Sequence, residues 1–394
     1  MDFRLTAEEE AFRQEVREFL RQELPPNWEG ADFFGAEDDG EGDSTREIGR
    51  RMTKKLAERK WLAMAWPKEH GGLGASHMQQ LIYNEELSYH AAPGGGGMGV
   101  AWVGPAIMLY GTEEQKQRYL PSIVSGEEVW CTLYSEPGAG SDLASLQTSA
   151  VQDGDDFIIN GQKIWTTGAQ YSSWGWLAAR TDPEAPKHKG ISTFVVPMDA
   201  PGITIRPLVN MAGQAGFNEV FFDNVRIPKK NLVGDLNRGW YHVAVALDFE
   251  RSGIQFYARA RRTLEQYLSL FREQSAVARR NPQTRIELAD RYVELHVGTW
   301  MSYRIPYLQS QGAIPNYEAS ISKLYGSEFA QRVASTGMRL LGSFGQLGPG
   351  SAYAPMDGQI GQSYVQMVAA TIGGGTSEVQ RSIIATRGLG LPRG

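Results

Sequence analysis

Ser135-Glu136-Pro137-Gly138-Ala139-Gly140-Ser141-Asp142 and, a short distance on, Asn160-Gly161-Gln162-Lys163-Ile164-Trp165-Thr166-Thr167-Gly168 carry more information than any other part of this sequence. The first run sets small residues between a proline and a hydroxyl beside an acid. That composition suits a backbone that approaches a ligand closely and offers it N–H and O–H donors. The second run predicts an Asn-Gly turn leading into a strand that carries an indole and adjacent hydroxyls. A flat heteroaromatic ligand needs one such apolar wall and a few fixed polar contacts. Taken singly, each run reads equally well as an ordinary β-turn between strands, because Gly and Asn-Gly mark turns everywhere.

Around these runs the texture is β-rich. From about 129 to 233 short apolar segments (Val129–Tyr134, Thr148–Val151, Phe157–Ile159, Trp174–Ala179, Ile191–Val196, Ile203–Val209, Glu219–Pro228) are separated by Gly, Pro, Asn and Asp, which predicts a small antiparallel barrel or sandwich. Upstream the spacing is helical: residues 6–24 put Phe12, Val16, Phe19 and Leu20 on one face behind an N-capping Thr6, and further helices are expected at 45–60, 76–91 and 100–124, with Thr112 capping a start at Glu113. Residues 29–44 read as a solvated loop. Downstream, helices are expected over 238–274, 283–311, 315–341, 357–371 and 376–387. Helices, then strands, then helices predict an α+β multidomain chain rather than an alternating βαβ sheet, with boundaries at 1–128, 129–235 and 236–394. A literal Gly-x-Gly-x-x-Gly at Gly94, Gly96 and Gly99 follows a helical segment, Leu81–His90, and so lacks the strand that a dinucleotide fingerprint requires.

Composition narrows the function classes. The net charge of −6 gives no footprint for nucleic acid. The single cysteine, Cys131, allows no internal disulfide and reads as a packed strand residue. The N-terminus resembles neither a signal nor a transit peptide, and no apolar run spans a bilayer, so a cytoplasmic protein with no membrane association is the expectation. The six histidines lack ligand spacing, and a metal site is not expected. No nucleophile-elbow motif supports a serine triad.

With these motifs stand Trp66-Pro67-Lys68-Glu69-His70-Gly71-Gly72, Gly111-Thr112-Glu113-Glu114-Gln115-Lys116 through Tyr119-Leu120-Pro121, and Gly375-Thr376-Ser377-Glu378-Val379-Gln380-Arg381. In this order, and over almost the whole length, the chain resembles the acyl-CoA dehydrogenases. The resemblance implies a helical N-terminal domain, a β-barrel-like middle domain and a C-terminal four-helix bundle with FAD between them. It implies that Trp165 and Thr167 pack on and hydrogen-bond the flavin ring with Ser135 beside it. Ser141 would contact acyl-CoA or flavin, and Thr376 and Glu378 the ribityl or phosphate side. The Met and Trp residues around 61–66 and 98–108 read first as core, with Met98 to Trp102 lining an acyl tunnel as the alternative. Among solitary strand aromatics a core tryptophan is the commoner case; the neighbouring Thr pair and the motif order favour the flavin wall for Trp165.

Such proteins remove the proton α to a thioester carbonyl while hydride leaves the β-carbon, which needs a carboxylate base and donors on the carbonyl oxygen. Many members place the base in a Tyr-Glu-Gly-Thr motif near the C-terminus. Here the stretch is Gly373-Gly374-Gly375-Thr376, so that base is absent and Gly374 is left to donate through its backbone N–H. On a helix over 238–274, Val243, Leu247, Glu250, Ile254 and Tyr257 form one stripe. A carboxylate on an apolar face has its pKa raised by burial, which Arg251 beside it counters. Periodicity alone fits an ion pair with a neighbouring helix at least as well. However, Leu247-Asp248-Phe249-Glu250-Arg251 resembles the isovaleryl- and long-chain-type members, which carry the base here and also lack the C-terminal Glu; Glu250 is therefore the expected base.

Two family features are altered. The Arg-x-x-Phe-Gly stretch that reaches a neighbouring subunit's FAD has no counterpart in 271–285, although Arg272, Arg279, Arg280 and Arg285 lie there. The Gln-x-x-Gly-Gly-x-Gly motif reads Arg339-Leu340-Leu341-Gly342-Ser343-Phe344-Gly345, with Arg339 in place of Gln and Gly342 retained. Both concern cofactor contacts supplied across an interface, so a homo-tetramer and a hetero-tetramer remain open. The C-terminal sequence is similar to bacterial members acting on steroid side chains and other bulky acyl groups. The resemblance thus implies FAD-dependent formation of a trans-2-enoyl-CoA from a branched, cyclic or bulky acyl-CoA, with electrons passed to an electron-transferring flavoprotein. The alternatives are an acyl-CoA oxidase that uses oxygen directly, a non-catalytic scaffold subunit, and, disfavoured by charge, a nucleic-acid-binding relative.

Overall fold

A computed structural model describes residues 4–26, 28, 30, 42–246, 252–273 and 281–392. In chain order the helices are α1 (Ala7–Glu23), α2 (Gly42–Glu58), α3 (His77–Tyr89), α4 (Gly104–Tyr110) and α5 (Glu113–Ser125). Then come β1 (Trp130–Leu133), β2 (Ser149–Asp153), β3 (Asp156–Thr167), β4 (Trp174–Arg180), β5 (Ile191–Pro197), β6 (Ile203–Leu208), β7 (Phe217–Pro228) and β8 (Leu232–Val233). The chain closes with α6 (Gly239–Ala246), α7 (Ile254–Glu273), α8 (Pro282–Ser310), α9 (Tyr317–Leu341), α10 (Gln359–Gln366) and α11 (Ser377–Ile383). Among the described residues no helix is long and apolar enough to cross a membrane.

Local sequence explains many of the boundaries. Thr6 caps α1 and Thr112 caps α5, each through a reciprocal capping box, with Glu9 and Gln115 respectively. On α1, Val16, Phe19 and Leu20 are buried, as their spacing requires. Gly126 ends α5 in the left-handed conformation.

The chain forms two compact units. One comprises residues 31–75 and 93–250 and holds the sheet. Its strand order is β6-β7-β3-β2-β4-β5-β8, with β1 paired to β4. Most pairs are antiparallel, but β1 runs parallel to β4 (Trp130 opposite Trp174, Leu133 opposite Leu177). Alternation along β4 sends Leu177 and Ala179 to the core that holds Phe157, Phe194 and Val220. Trp176 faces the other way, into a cluster with Trp66, Ile107, Tyr119 and Trp130. Covered on both faces, β4 is a continuous apolar run. Trp176 is wholly buried, and truncating such a residue to Ala costs about 3–5 kcal/mol.

The second unit comprises residues 1–30, 76–92 and 251–394. In it α7, α8 and α9 share a core of Tyr257, Leu264, Tyr267, Leu288, Leu295, Phe329 and Val333. Gly298 admits the Tyr257 ring, since a Cβ there would lie 2.0 Å from Cε1. Within this unit α1 and α3 are tied to α8 through a buried polar network. Glu85 on α3 accepts from Arg13 (2.8 Å) and Tyr303 (2.6 Å), and Glu86 pairs with Arg17 (2.9 Å).

The helix expected over 238–274 is not continuous. α6 is described over Gly239–Ala246, and Ser252 and Gly253 are not helical before α7 begins at Ile254. Gly253 has φ +70, and a Cβ there would meet Ser322 Oγ at 2.8 Å. The stripe running from Val243 to Tyr257 therefore has no single helical register.

Candidate active site

In the sheet unit the two motif runs meet. The Ile164 N–H donates to Ser135 O (2.9 Å), which sets Ser135 beside the strand position preceding Trp165. Lys163 Nζ donates to Tyr134 O (2.9 Å) and to Glu136 Oε1 (2.8 Å). The Glu136 carboxylate also accepts the N–H groups of Gln147 (2.6 Å) and Thr148 (2.9 Å). Lys163 is 0% exposed, so this is a buried ion pair with nearly all its partners supplied. Burial pushes the Lys163 ammonium down to about 8, against the pull of Glu136. Burial also opposes ionisation of Glu136, but Lys163 and the donors outweigh it and hold the carboxyl below its usual range.

β3 then breaks register between Lys163 and Thr166. Trp165 takes φ +61 within that bulge. Its indole is 60% exposed and meets Phe217 edge-on at 6.1 Å. Thr166 is buried and Thr167 exposed. Bulges that re-aim a side chain, and left-handed backbone at a bulky residue, both cluster at functional sites. The Asn160-Gly161 pair is not a turn, as its sequence suggested, but a second bulge inside β3. Gly161 has φ +144, and a Cβ there would lie 2.7 Å from Thr148 Cα, so close approach of the 148 backbone dictates the glycine.

Ser141 is exposed, on a loop braced by the buried Arg180, which donates to the carbonyls of Ala144 (2.5 Å) and Lys187 (2.9 Å). Met98 is half-buried just before a π-helical turn, Gly99–Val103. In that turn Trp102 stacks on Tyr134 at 5.9 Å, the residue before Ser135. The 98–102 segment therefore borders the same motif.

In the helical unit Gly374 is exposed with φ +67, and a Cβ there would meet nothing within 4 Å. Thr376 Oγ1 caps α11, accepting from Val379 N–H at 3.3 Å. Thr376 and Glu378 border a groove of about 520 Å³ with Gln331, Arg332 and Arg381. Arg339 Nε donates to Glu287 on α8 at 2.9 Å, so its charge is already paired. Gly342 ends α9 with φ +56. Ser252 O accepts from Ser302 Oγ (2.7 Å) and Ser322 Oγ (2.5 Å), anchoring the chain at its entry to α7. Glu250 and Arg251 lie outside the described residues, as do Arg279 and Arg280. The Lys163–Glu136 pair and the Ser252 anchor were not singled out from sequence. A lysine at an inward position of an apolar strand was the available signal for the first.

An exposed indole with hydroxyl-bearing Ser135 and Thr167 beside it fits one wall of a flavin site. Family models match the chain in three consecutive segments. Residues 6–127 match the acyl-CoA dehydrogenase N-terminal domain, 131–225 the middle domain and 237–389 the C-terminal domain. The chain is 36% identical over 398 residues to acyl-CoA dehydrogenase FadE26 of Mycobacterium tuberculosis, covering 98% of both. It is also 36% identical to acyl-CoA dehydrogenase IpdE1 of the same organism, again over 98% of each. Among solved structures, the Tcur3481-Tcur3483 steroid ACAD superposes with TM-score 0.88 at 37% identity over 100% of each chain. The ChsE4-ChsE5 complex from Mycobacterium tuberculosis gives 0.88 at 34% identity, also over 100% of each. The chain belongs to the acyl-CoA dehydrogenase family and is an oxidoreductase of that fold.

Proposed function

We propose that this protein is an FAD-dependent acyl-CoA dehydrogenase that converts a bulky acyl-CoA to its trans-2-enoyl-CoA, with Glu250 as the base. The observation that carries the reading is the pairing of Gly374, open and side-chain-free where many members hold the base, with Leu247-Asp248-Phe249-Glu250-Arg251, where a minority hold it. Bound FAD would supply the hydride acceptor. Trp165 would form its apolar wall, with Ser135 and Thr167 as polar contacts. Thr376, Glu378 and Gly342 would meet its ribityl and phosphate portions, while Arg339 would contribute only from its pairing with Glu287. Glu250 would take the α-proton, with Arg251 keeping the carboxylate ionised, and the Gly374 N–H would donate to the thioester oxygen as charge develops there. Ser141 and Met98 would border the acyl-CoA.

A bulky acyl group is supported by full-length likeness to the Tcur3481-Tcur3483 steroid ACAD. Neighbours named as two-component assemblies favour a hetero-tetramer over a homo-tetramer. An electron-transferring flavoprotein is the proposed acceptor. The test is anaerobic titration with a panel of acyl-CoAs, following flavin absorbance in wild type and Glu250→Gln. Bleaching by bulky acyl-CoAs that the variant loses, with flavin retained, supports the reading. Near-normal bleaching by Glu250→Gln overturns the base assignment. Rapid peroxide release without an added acceptor would overturn the dehydrogenase assignment in favour of an oxidase.

A further inference from the structure

The bulge that carries Trp165 is held at both ends. On one side the Ile164 N–H donates to Ser135 O (2.9 Å). On the other, β3 regains its register with β7 at Thr166, opposite Asn218. There the Asn218 side chain donates through Nδ2 to Thr166 O (3.0 Å). The same Nδ2 donates to Gln170 Oε1, and Gln170 Nε2 donates to Ala215 O (3.0 Å). A carbonyl oxygen can only accept, so Ala215 O leaves Gln170 Oε1 for Asn218 and settles which end of the Asn218 amide meets Thr166. The Gly168 N–H donates to Gly216 O (3.1 Å) and closes the strand end after Thr167. Asn218 is 0% exposed, and its Oδ1 has no hydrogen-bond partner among the described residues. A buried amide with an unpaired acceptor costs stability that an apolar strand residue would not, so folding alone does not ask for asparagine here.

We propose that Asn218 and Gln170 are positioning residues that hold the β3 bulge in the form that presents the Trp165 indole. Two residues of β3, Ile164 and Trp165, stand against one of β7, Glu219, and Trp165 takes the left-handed φ of +61. A bulky residue keeps that conformation only where its surroundings over-determine it. The bond to Thr166 O fixes the peptide plane after Thr166, and the bond from the Ile164 N–H fixes the plane before Ile164. Trp165 lies between these two anchored planes, so relaxing it to an extended φ shifts one anchor against the other. Gln170, itself tied to Ala215, keeps the Asn218 amide from swinging off Thr166. This rests on the reading that Trp165 walls the flavin, and goes beyond it in naming what holds the wall.

The test uses Asn218→Leu and Gln170→Leu in the full-length protein labelled with 5-fluorotryptophan. Gln170 is only half-buried, so its variant keeps the test open if Asn218→Leu fails to fold. The Trp165 resonance is assigned by its loss in Trp165→Phe. In fluorine NMR it should shift or broaden in both variants while the other indole resonances stay in place; a general loosening of the fold would move several. The second readout is the FAD dissociation constant, from flavin fluorescence on dilution of the holoprotein. Asn218→Leu should raise it about tenfold, the weight of one lost hydrogen bond. In a Trp165→Gly background the same substitution should change it less than about twofold, because the platform it holds is already gone. A Trp165 resonance unmoved in both variants overturns the inference, as do losses of FAD affinity from Asn218→Leu and Trp165→Gly that simply add. Wild-type FAD affinity in Trp165→Gly alone would instead overturn the flavin-wall reading and leave the fluorine resonance to decide the role of Asn218.

Discussion

Replacing Lys163 by Met tests the physical claim on which the sheet-side site stands. The substitution preserves much of the side chain's volume but leaves the Glu136 carboxylate without its counter-charge in a position where Lys163 itself has 0% exposure. Breaking a buried pair by removing one partner costs about 3–5 kcal/mol. Two backbone N–H bonds to Glu136 remain, which places the expectation toward the lower half, near 3 kcal/mol. The sheet unit spans roughly two hundred residues, for which each kcal/mol moves the melting temperature by about 2–4 °C, so a drop of about 6–12 °C is expected. Differential scanning calorimetry of wild type, Lys163→Met and the double variant Lys163→Met/Glu136→Gln measures it. The double variant should recover part of the loss, since it no longer buries an unpaired charge. The Tyr134 carbonyl also loses its donor, so the strand register that sets Ser135 near Trp165 should loosen and flavin retention fall in parallel. A melting temperature within about 2 °C of wild type, with flavin content intact, would refute the reasoning.

The remaining predictions follow from single contacts. His242 is buried, lies against the Tyr110 ring with centroids 4.1 Å apart and planes tilted by 31°, and pairs through Nδ1 with Thr193 Oγ1 at 2.7 Å. Burial pushes it from 6.5 down to about 4, so below pH 6.5 the unfolded chain binds the proton first. Wild-type stability should therefore fall by about 3 kcal/mol between pH 6.5 and 4 from this group, and His242→Phe should remove that share of the slope in urea melts. Gly161→Ala should cost about 2–3 kcal/mol by forcing a Cβ against Thr148 at a left-handed φ, again read by urea unfolding. Thr112→Ala should cost only about 1 kcal/mol, the ordinary loss of an N-cap.

What was legible in the sequence is what is decided locally. Thr6 and Thr112 announce their helices because a cap needs only residues within one turn. The order of helical, β-rich and helical regions survives because periodicity is local too. Asn160-Gly161 misled because a turn and a bulge ask the same left-handed freedom of a glycine; the deciding partner, Thr148, is distant in sequence. The helix over 238–274 was overextended for the same reason. Gly253 looks like a tolerated interruption until Ser322, contributed by α9, presses against it. The parallel pairing of β1 with β4, and of Lys163 with Glu136, are non-local choices that no window of one strand contains. Association of α1 and α3 with the C-terminal helices depends on Arg13, Glu85 and Tyr303 meeting from three separate segments.

Trp165 has a consequence for how this scaffold can evolve. An aromatic residue held at φ +61 carries a conformational penalty of order 1–3 kcal/mol, and with 60% of the residue in water its own packing does little to offset it. Glycine at this position would relieve the strain and strip away the aromatic platform together. Selection for thermal robustness alone would therefore favour glycine here, and an indole at this position answers a demand that folding by itself does not make.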